Sequence, residues 1–556
     1  MYLGLDSSTQ GLKATAIDAS FKVVSTFAIN YQKDLSRYNL KDGVHASAGS
    51  VVTQPTLMVR ALPLPAFLHL PPHPAPRAPS SPHPQYVEAL DLLFSKMKGQ
   101  GFPFARVAAV SGSGQQHGSA YWGVGARAKL QGLAPGTPLA AQLASAFRLP
   151  NSPIWMDSST GAQCAALEAA LGGPQRVATL SGSRAYERFT GNQIAKVFAT
   201  DANAYGGTER ISLISSLMAS VLLGDYAPID LSDGCGMNLL NLGTRTWDAA
   251  LLTATAPALE ARLGAPAPSH AALGTVSKYF TGTYGLPASA RVIAWSGDNP
   301  NSVAGLGLSE PGDIAVSLGT SDTMFGILPK PTPGLEGHIF VNPMDPASYM
   351  AMLCYKNGSL TRERVRDAVA GGSWDAFNAL LAKTAPGNGG AVGFFIDAPE
   401  ITPNIPVAGT RRFDGAGKRA AGFSPAQEVR AVVEGQFLSM RAHGAALGLN
   451  APKRIIATGG GSANSAILQV LADVFGVPVY VAAQTDSASL GAAVRALHGA
   501  RIAGAGGAFA PVESMRPAGS STLSFAAKPQ PAATAAYTAL LPAYLKAEAA
   551  VVAERA

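Results

Sequence analysis

Two hydroxyl-rich hairpin sequences, about 310 residues apart, constrain the fold of this chain more than any other feature. The first is YLGLDSSTQGLKATAID at residues 2–18, and the second is GDIAVSLGTSDTMFGIL at residues 312–328. In each sequence, apolar runs on both sides of a short polar turn predict two antiparallel strands. A single polar turn is ordinary hairpin chemistry. Two such hairpins, each opening a predicted domain, indicate a duplicated fold whose two tips face a central cleft.

The length and composition of the chain predict a folded protein of more than one domain. A chain of 556 residues is too long for one hydrophobic core. Hydrophobic residues make up 47% of the chain and charged residues 14%, which excludes wholesale disorder. No apolar run reaches the length of a membrane span, and the first predicted strand begins at Tyr2, so no signal peptide is expected. We therefore expect a cytoplasmic protein that does not enter a membrane.

The cysteines and the basic residues exclude two further classes. Cys164, Cys235 and Cys354 lie far apart and form no CxxC pair, which argues against a disulfide framework or a zinc site. The net charge is +7, but the densest basic sequences are only RERVR at 362–366 and GTRR to GKR at 409–419. Neither forms a basic stripe with interleaved aromatic residues, so a solvated surface is favoured over a nucleic-acid partner.

A third motif, KRIIATGGGSANSAILQVLADVFGVPVYV at residues 453–481, predicts a strand, a glycine turn, a helix and a second strand. The predicted helix covers 463–475 and the predicted second strand covers 477–481. Glycines at the turn allow the backbone to approach a ligand, and a helix N-terminus favours anions. A related strand and turn occur in RVAAVSGSGQQHGSAYW at residues 106–122.

The usual nucleotide-binding loops are missing from the sequence. DGAGKR lacks the first glycine and the hydroxyl of a P-loop, and GSGQQH lacks the third glycine of a dinucleotide fingerprint. What remains is the pair of hairpins, whose hydroxyls and backbone N–H groups can cradle a triphosphate. A carboxylate such as Asp6 can hold Mg²⁺, usually through water. From spacing alone, purely structural turns remain the alternative.

Residues 61–84 contain nine prolines and cannot form a helix or a central strand. We interpret this segment as a surface insertion, or as an error in the gene sequence. Near the C-terminus, the spacing of Tyr537, Leu540, Leu541, Tyr544 and Leu545 predicts a final helix packed on a core.

Taken together, the motifs resemble those of the xylulose kinases in the FGGY family of carbohydrate kinases. The resemblance covers nearly the whole chain apart from the proline-rich segment. It is carried by GLDSSTQGLK, SGSGQQHGSAYW, WMDSSTGAQC, SGSRAYERFTGNQIAK, IDLSDGCGMNLL, SGDNPNSVAGL, GDIAVSLGTSDTMF, EGHIFVNP, KNGSLTRE, ATGGGSANSAILQVLADVF and the last helix.

The resemblance implies an α/β protein with two actin/hexokinase-like (ribonuclease H-like) domains around a central ATP and sugar cleft. It assigns 1–307 to a sugar-binding N-terminal domain and 308–556 to an ATP-binding C-terminal domain. The implied reaction is ATP-dependent phosphorylation of D-xylulose on O5, with Mg²⁺, feeding the pentose phosphate pathway. The expected partners are D-xylulose and MgATP, and the expected state is a monomer or a weak homodimer.

The same resemblance implies a role for individual residues. Asp233 aligns with the catalytic base, and Asp6 lies near Mg²⁺. The residues implied to contact the sugar are His117, Arg188, Asp298 and Asn299. The residues implied to contact ATP are Ser8, Thr9, Gln10, Gly319, Thr320, Ser321, Trp374, Gly459, Gly460, Gly461 and Asn464.

Each of the main assignments has a structural alternative. Asp233 precedes Gly234, which is ordinary turn chemistry, and His117 suits a buried core position equally well. Arg188 beside Glu187 suits a surface ion pair, Asp298 suits a helix cap, and Trp374 suits simple packing. The alternative functions are a kinase for ribulose, glycerol or sedoheptulose, and a non-catalytic sugar sensor or actin-like ATP-binding protein.

Overall fold

The computed structural model describes residues 1–40, Val44, 80–482, 486–517 and 523–554. The chain forms two compact units that each contain a large mixed sheet. The first unit comprises Met1–Gly305, Phe340–Pro346 and Asp486–Ser520. The second unit comprises Leu306–Ile339, Ala347–Thr485 and Ser521–Ala556.

The first predicted hairpin is confirmed and occupies the middle of the first unit's sheet. Its strands are Tyr2–Ser7 and Gly11–Ile17, with Tyr2 opposite Ile17. Buried leucines on both strands, such as Leu3 and Leu12, anchor the hairpin in the core. The strand order across the sheet is Val23–Asn30, Gly11–Ile17, Tyr2–Ser7, Ala109–Gly114, Arg291–Ile293 and Ala272–Thr275, with Ser296–Gly297 also pairing with Ala109–Gly114.

Two smaller strand pairs accompany this sheet, Ser119–Gly123 with Thr208–Leu213 and Ser80–Pro82 with Asn151–Pro153. The helices of the first unit are Tyr31–Asp34, His83–Gly99, Ala126–Gln131, Leu139–Gln142, Gly161–Leu171, Pro174–Ser181, Thr190–Thr200, Ala202–Gly206, Ile214–Leu223, Leu231–Gly234, Ala249–Thr255, Leu259–Leu263, Lys278–Tyr284, Asp298–Gly305 and Ser487–Gly504.

The helix Ser487–Gly504 packs unusually closely on the first hairpin. A Cβ atom at Gly4 would lie 2.2 Å from the backbone nitrogen of Ala493, so only glycine allows this approach. The close packing explains why this late segment belongs to the first unit, and the predicted division into 1–307 and 308–556 stays a prediction.

The second predicted hairpin is also confirmed. Its strands are Asp313–Leu318 and Asp322–Leu328, and the buried side chains of Ile314, Val316 and Leu318 form its core face. The strand order of this sheet is His338–Val341, Tyr349–Tyr355, Asp322–Leu328, Asp313–Leu318, Arg454–Thr458, Val479–Ala482 and Leu523–Ala527. A separate hairpin pairs Val392–Ile396 with Gly409–Phe413.

The predicted strand, glycine turn, helix and strand near residue 460 are present with shifted boundaries. The α-helix is Ser465–Phe475, because Asn464 caps its N-terminus after the 3₁₀ turn Gly460–Ala463. The second strand begins at Val479 rather than 477, following Gly476 in the left-handed region and Pro478. The α-helices of the second unit are Ser359–Ala370, Trp374–Leu381, Pro425–Ala446, Ser465–Phe475 and Pro531–Val552.

The predicted proline-rich insertion falls mostly outside the described residues, which exclude 45–79. Its predicted end at residue 84 is too late, because Ser80–Pro82 is a strand and a helix begins at His83. The predicted final helix is present as Pro531–Val552. Among the described residues, no helix combines the length and the apolarity that a membrane crossing requires.

Candidate active site

Asp233 is a buried carboxylate with one oxygen atom left open. It lies in the short helix Leu231–Gly234, and only 1% of its surface is exposed. Its Oδ2 atom accepts a hydrogen bond of 2.6 Å from the Ser215 hydroxyl, whereas Oδ1 lies near the Gln116 side chain and has no hydrogen bond of normal geometry among the described residues. Asp233 and Gly234 therefore belong to a short buried helix rather than to an Asp-Gly turn.

The surroundings of Asp233 favour its protonated form. Burial raises the pKa of Asp233 well above its ordinary value, and the charge of Asp230 raises it further. Asp230 also accepts the backbone N–H of Asp233 at 2.8 Å, as the cap of the same helix. A raised pKa makes the carboxylate a stronger base in its ionised form.

Asp230 is itself held by a buried guanidinium group. Arg495 lies 3.8 Å from the Asp230 carboxylate, and both side chains are almost completely buried. Arg495 also donates to the side chain of Asn301 at 2.9 Å and to two backbone carbonyl groups. These bonds fix the guanidinium in place, so the carboxylate of Asp230 has a permanent cationic neighbour.

A second polar cluster surrounds the start of the helix Asp298–Gly305. Asp298 Oδ1 accepts the backbone N–H of Asn299 at 2.8 Å, and the Asn299 amide donates to Gln116 at 2.9 Å. Desolvation raises the pKa of the Asp298 carboxyl group to about 7. A Cβ atom at Gly297 would lie within 2.9 Å of both Asp233 Oδ1 and the Gln116 side chain. The two clusters are therefore neighbours, as the predicted roles require.

His117 is a buried ring whose tautomer is set by a backbone carbonyl group. Its Nδ1 atom lies 2.8 Å from the carbonyl oxygen of Gly236 and must donate, because a carbonyl only accepts. Burial, with the nearby charge of Arg188, lowers the pKa of His117 to about 3, so the ring is neutral and Nε2 can accept. The ring stacks on Phe189 at 4.5 Å, and the Arg188 guanidinium lies over Phe189 and Tyr186.

Asp6 is the penultimate residue of the strand Tyr2–Ser7 in the same unit. It is opposite Ser113 on the neighbouring strand, and the Ser113 hydroxyl donates to its Oδ1 atom. Burial raises the pKa of Asp6 to about 6, and the charge of Asp6 in turn raises the pKa of Asp298. These two carboxyl groups therefore interact electrostatically.

The tip of the first hairpin carries Ser8, Thr9 and Gln10. The Ser8 hydroxyl donates to the carbonyl of Gly11 at 3.0 Å, which closes the turn. Thr9 donates to Gln115 at 3.2 Å and accepts from the half-exposed indole of Trp155 at 2.9 Å. Ser8 and Gln10 line an open cavity of about 440 Å³ on this unit.

The second unit contains a separate cavity of about 660 Å³ beside its own hairpin. Six of the predicted ATP contacts line it: Gly319, Thr320, Trp374, Gly460, Gly461 and Asn464. The other two predicted ATP contacts of this unit, Ser321 and Gly459, do not line the cavity, although their neighbours in the chain do.

Gly459 has a structural reason to be glycine. Its φ angle is +81°, and a Cβ atom would lie 2.7 Å from the carbonyl oxygen of Leu318 at the hairpin tip. The turn therefore packs directly against the hairpin. Arg362 supports the same region, because it donates to both carboxylate oxygens of Asp322, the residue that follows the tip.

Several residues that the sequence interpretation missed complete these sites. Asp230 could have been found, because an aspartate three residues before another buried aspartate has the spacing of a helix cap. Gln116 is adjacent to the predicted His117. Ser113, Trp155 and Arg362 lie inside the quoted motifs without having been singled out, and Ser215, Asn378 and Arg495 lie outside those motifs.

The residues around Asp6 fit a magnesium ion. Two interacting carboxyl groups with raised pKa values leave negative charge that a cation would stabilise. The described residues contain no cluster of three or more histidine, cysteine, aspartate or glutamate side chains around a metal point. Mg²⁺ does not need such a cluster, since it commonly uses one or two carboxylates, water and substrate phosphates.

Known proteins match this chain along most of its length. Residues 147–305 match the N-terminal domain of the FGGY family of carbohydrate kinases, and residues 314–500 match the C-terminal domain. A xylulose kinase of Mus musculus is 50% identical over 545 residues, covering 98% of this chain and 93% of the mouse protein. Xylulose kinase 2 of Arabidopsis thaliana is 47% identical over 529 residues, covering 93% of this chain and 90% of the plant protein.

Solved structures share the same fold. The crystal structure of xylulose kinase from Rhodospirillum rubrum has a TM-score of 0.76 at 18% identity, covering 99% of this chain and 98% of that chain. The crystal structure of Plasmodium falciparum glycerol kinase with ADP has a TM-score of 0.72 at 14% identity, covering 100% of this chain and 98% of that chain. The predicted α/β fold of the actin/hexokinase type is confirmed.

Proposed function

Because this chain belongs to the FGGY family of carbohydrate kinases, we propose that it transfers the γ-phosphoryl group of ATP to O5 of D-xylulose. The product would be D-xylulose 5-phosphate, a substrate of the pentose phosphate pathway. The choice of xylulose over other sugars is supported by relatives at 47–50% identity that bear the name xylulose kinase.

One observation in the structure carries the chemical part of the proposal. Asp233 is buried, has a raised pKa and has one carboxylate oxygen without a hydrogen bond of normal geometry among the described residues. Leaving a buried acceptor unpaired costs roughly 1–3 kcal/mol, so this oxygen is favoured as a contact for a ligand. An enzyme that must remove a proton from a hydroxyl group gains a base from the same arrangement.

In the proposed mechanism, Asp233 Oδ1 accepts the proton of the attacking sugar hydroxyl. The Ser215 hydroxyl holds Oδ2, so the carboxylate presents Oδ1 in a fixed direction. Proton removal accompanies formation of the bond between the sugar oxygen and the γ-phosphorus, while the bond from that phosphorus to the ADP oxygen breaks. Positioning and charge neutralisation provide most of the acceleration in such transfers.

The sugar is an uncharged molecule with many hydroxyl groups, and the first unit offers matching donors and acceptors. We assign sugar binding to four residues, His117, Arg188, Asp298 and Asn299. A neutral His117, whose Nδ1 donates to Gly236, would accept from a sugar hydroxyl at Nε2, and Arg188 would donate to the sugar. The bond between Asn299 and Gln116 fixes the orientation of the Asn299 amide.

We assign the adenosine part of ATP to the cavity of the second unit. The volume of about 660 Å³ is in the range of nucleotide-sized pockets. Backbone N–H groups and hydroxyls at Gly319, Thr320 and Ser321, and at Ser8, Thr9 and Gln10, would hold the phosphates. Asp6 would hold Mg²⁺, which when bound neutralises charge on the phosphate oxygens.

A sugar panel tests the proposal directly. Release of ADP by the purified chain is measured with MgATP and, in turn, D-xylulose, D-ribulose, glycerol and sedoheptulose. We expect D-xylulose to give the highest kcat/KM. A higher value for another acceptor would move the substrate assignment to that compound, and a lack of sugar-dependent ADP release would contradict a kinase function altogether.

A further inference from the structure

Two asparagine side chains in the cavity of the second unit hold each other in a fixed orientation. Asn464 precedes the helix Ser465–Phe475, and its side chain accepts the backbone N–H groups of Ala466 at 3.1 Å and Ile467 at 3.2 Å. Only the oxygen of an amide can accept a hydrogen bond. The position of this oxygen is therefore determined by the helix cap, and Nδ2 of Asn464 must point away from the helix.

The orientation of Asn464 determines that of Asn378. Nδ2 of Asn464 donates to Oδ1 of Asn378 at 3.0 Å. If Asn378 turned its amide around, two NH₂ groups would face each other and the bond would be lost. The Oδ1 atom of Asn378 therefore stays next to Asn464. The Nδ2 group of Asn378 and the second lone pair of its Oδ1 atom take no part in this hydrogen bond.

Asn378 lies beside Trp374 in the cavity of the second unit. It follows Trp374 by four residues on the helix Trp374–Leu381, so the two side chains share one face of the helix. Both residues line the cavity together with Gly460, Gly461 and Asn464. The Trp374 ring is held from one side by the Arg366 guanidinium, 4.7 Å from the ring centroid.

We propose that Asn378 reads the edge of the purine base and that the Asn464 bond makes this reading selective for adenine. This inference rests on the proposed binding of ATP in this cavity. Adenine presents an amino donor beside a ring nitrogen acceptor, whereas guanine presents a carbonyl acceptor beside an N–H donor. A freely rotating amide could serve either base by exchanging its oxygen and nitrogen. An amide whose orientation is fixed by Asn464 can pair with only one of these two donor and acceptor arrangements in a given pose of the base. We assign the fixed amide to the arrangement of adenine.

The ratio of two binding constants tests this inference without depending on sugar chemistry. Dissociation constants of MgATP and MgGTP are measured by calorimetry for the full chain and for three variants. Asn378→Ala removes the reading group, and Asn464→Asp keeps an oxygen for the helix cap but replaces the donor that holds Asn378. Asn450→Ala changes an exposed asparagine of the same unit that does not line the cavity and serves as the control.

We expect the wild type and Asn450→Ala to prefer MgATP. Asn378→Ala should reduce this preference by roughly 10- to 100-fold, the usual range for one bidentate contact between an amide and a base. Asn464→Asp should shift the preference toward MgGTP, because Asn378 must then turn its NH₂ group to the new carboxylate. Circular dichroism verifies that the variants are folded.

An Asn378→Ala protein that is folded and keeps the wild-type ratio within two-fold would overturn the inference, as would a wild type without preference for MgATP. Sugar phosphorylation is measured separately on the same preparations. A normal affinity ratio without sugar phosphorylation would contradict the proposed reaction and leave the role of Asn378 supported.

Discussion

The Ser215 hydroxyl donates a hydrogen bond of 2.6 Å to Oδ2 of Asp233 and leaves Oδ1 without a hydrogen bond of normal geometry among the described residues. The two residues come from different helices, Ile214–Leu223 and Leu231–Gly234. Their contact fixes which of the two carboxylate oxygens is open. The proposed proton transfer uses the open oxygen, because the sugar hydroxyl meets less competition there than at the oxygen that Ser215 holds.

Asp233→Asn tests the role of this oxygen. The variant keeps the size of the side chain but cannot accept a proton, so kcat should fall by roughly 10²–10⁴-fold, the usual contribution of general-base catalysis. MgATP binding and the melting temperature should not decrease. A folded Asp233→Asn enzyme within ten-fold of the wild-type kcat, with chemistry limiting the rate, would remove Asp233 from this role and make Asp298 the next candidate.

Asp230→Asn should move the pH dependence of kcat. The negative charge of Asp230 is one cause of the raised pKa of Asp233, after burial, and Asp298 adds to it while the Ser215 bond opposes it. The positive charge of the neighbouring Arg495 favours the ionised form of Asp233. Asparagine keeps the oxygen that caps the helix but removes the charge, so the pKa of Asp233 should fall.

The acid side of the kcat profile should therefore shift to lower pH in Asp230→Asn. The control is Asp225→Asn, which removes a carboxylate paired with Arg127 on the surface of the same unit. Its profile should match that of the wild type. An unchanged or oppositely shifted profile for Asp230→Asn would show that Asp230 does not act on the base.

Thr320→Val tests the second hairpin as a phosphate-binding element. Thr320 lines the cavity of the second unit, and valine removes its hydroxyl while keeping its shape. A hydrogen bond to a charged group contributes about 1.5–3 kcal/mol, so kcat/KM for ATP should fall roughly 10- to 100-fold. The KM for xylulose should change little. Thr332→Val, at an exposed threonine outside the cavity, is the matched control, and equal ATP kinetics in both variants would refute this assignment.

The ion pairs of His443 with two glutamates should make the free energy of unfolding fall at alkaline pH. Its two ring nitrogens lie 2.6 Å from Glu336 and 3.0 Å from Glu548. Burial lowers the pKa of His443, but the hydrogen bonds to these glutamates outweigh burial and raise it to about 9. A pKa that is higher in the folded than in the unfolded state stabilises the fold fully below about pH 6.5.

This stabilisation is lost as the pH rises through about 9. The free energy of unfolding of the wild type should therefore drop by roughly 1–3 kcal/mol between pH 6.5 and 10, beyond the drop in His443→Gln. Urea unfolding at several pH values measures the difference. Parallel pH curves for the two proteins would show that the histidine is not charged in the folded state.

Local sequence patterns predicted the hairpins well, because each strand alternates apolar residues that end up buried. Tyr2–Ser7 and Asp313–Leu318 match the predicted strands, and the glycine turn at Gly459 matches the predicted turn. The predicted boundaries of the helix Ser465–Phe475 and of the strand Val479–Ala482 were less accurate. The Asn464 cap and Pro478 determine where these two elements begin.

Long-range contacts could not be predicted in this way. The helix Ser487–Gly504 belongs to the first unit because Gly4 allows it to approach the sheet, and nothing near residue 487 encodes that partner. The same limit applies to the site. Asp233 was found through the family resemblance, whereas Ser215 and Arg495 act through contacts that only the folded chain creates.

Identification of the reaction product tests the central proposal most directly. The purified chain is incubated with MgATP and D-xylulose, and the product is analysed by phosphorus and carbon NMR. We predict one sugar phosphate per ADP formed, with the phosphoryl group on O5, and a much slower reaction in Asp233→Asn. ADP formation without any sugar phosphate, or a phosphoryl group on another oxygen of the sugar, would contradict the account.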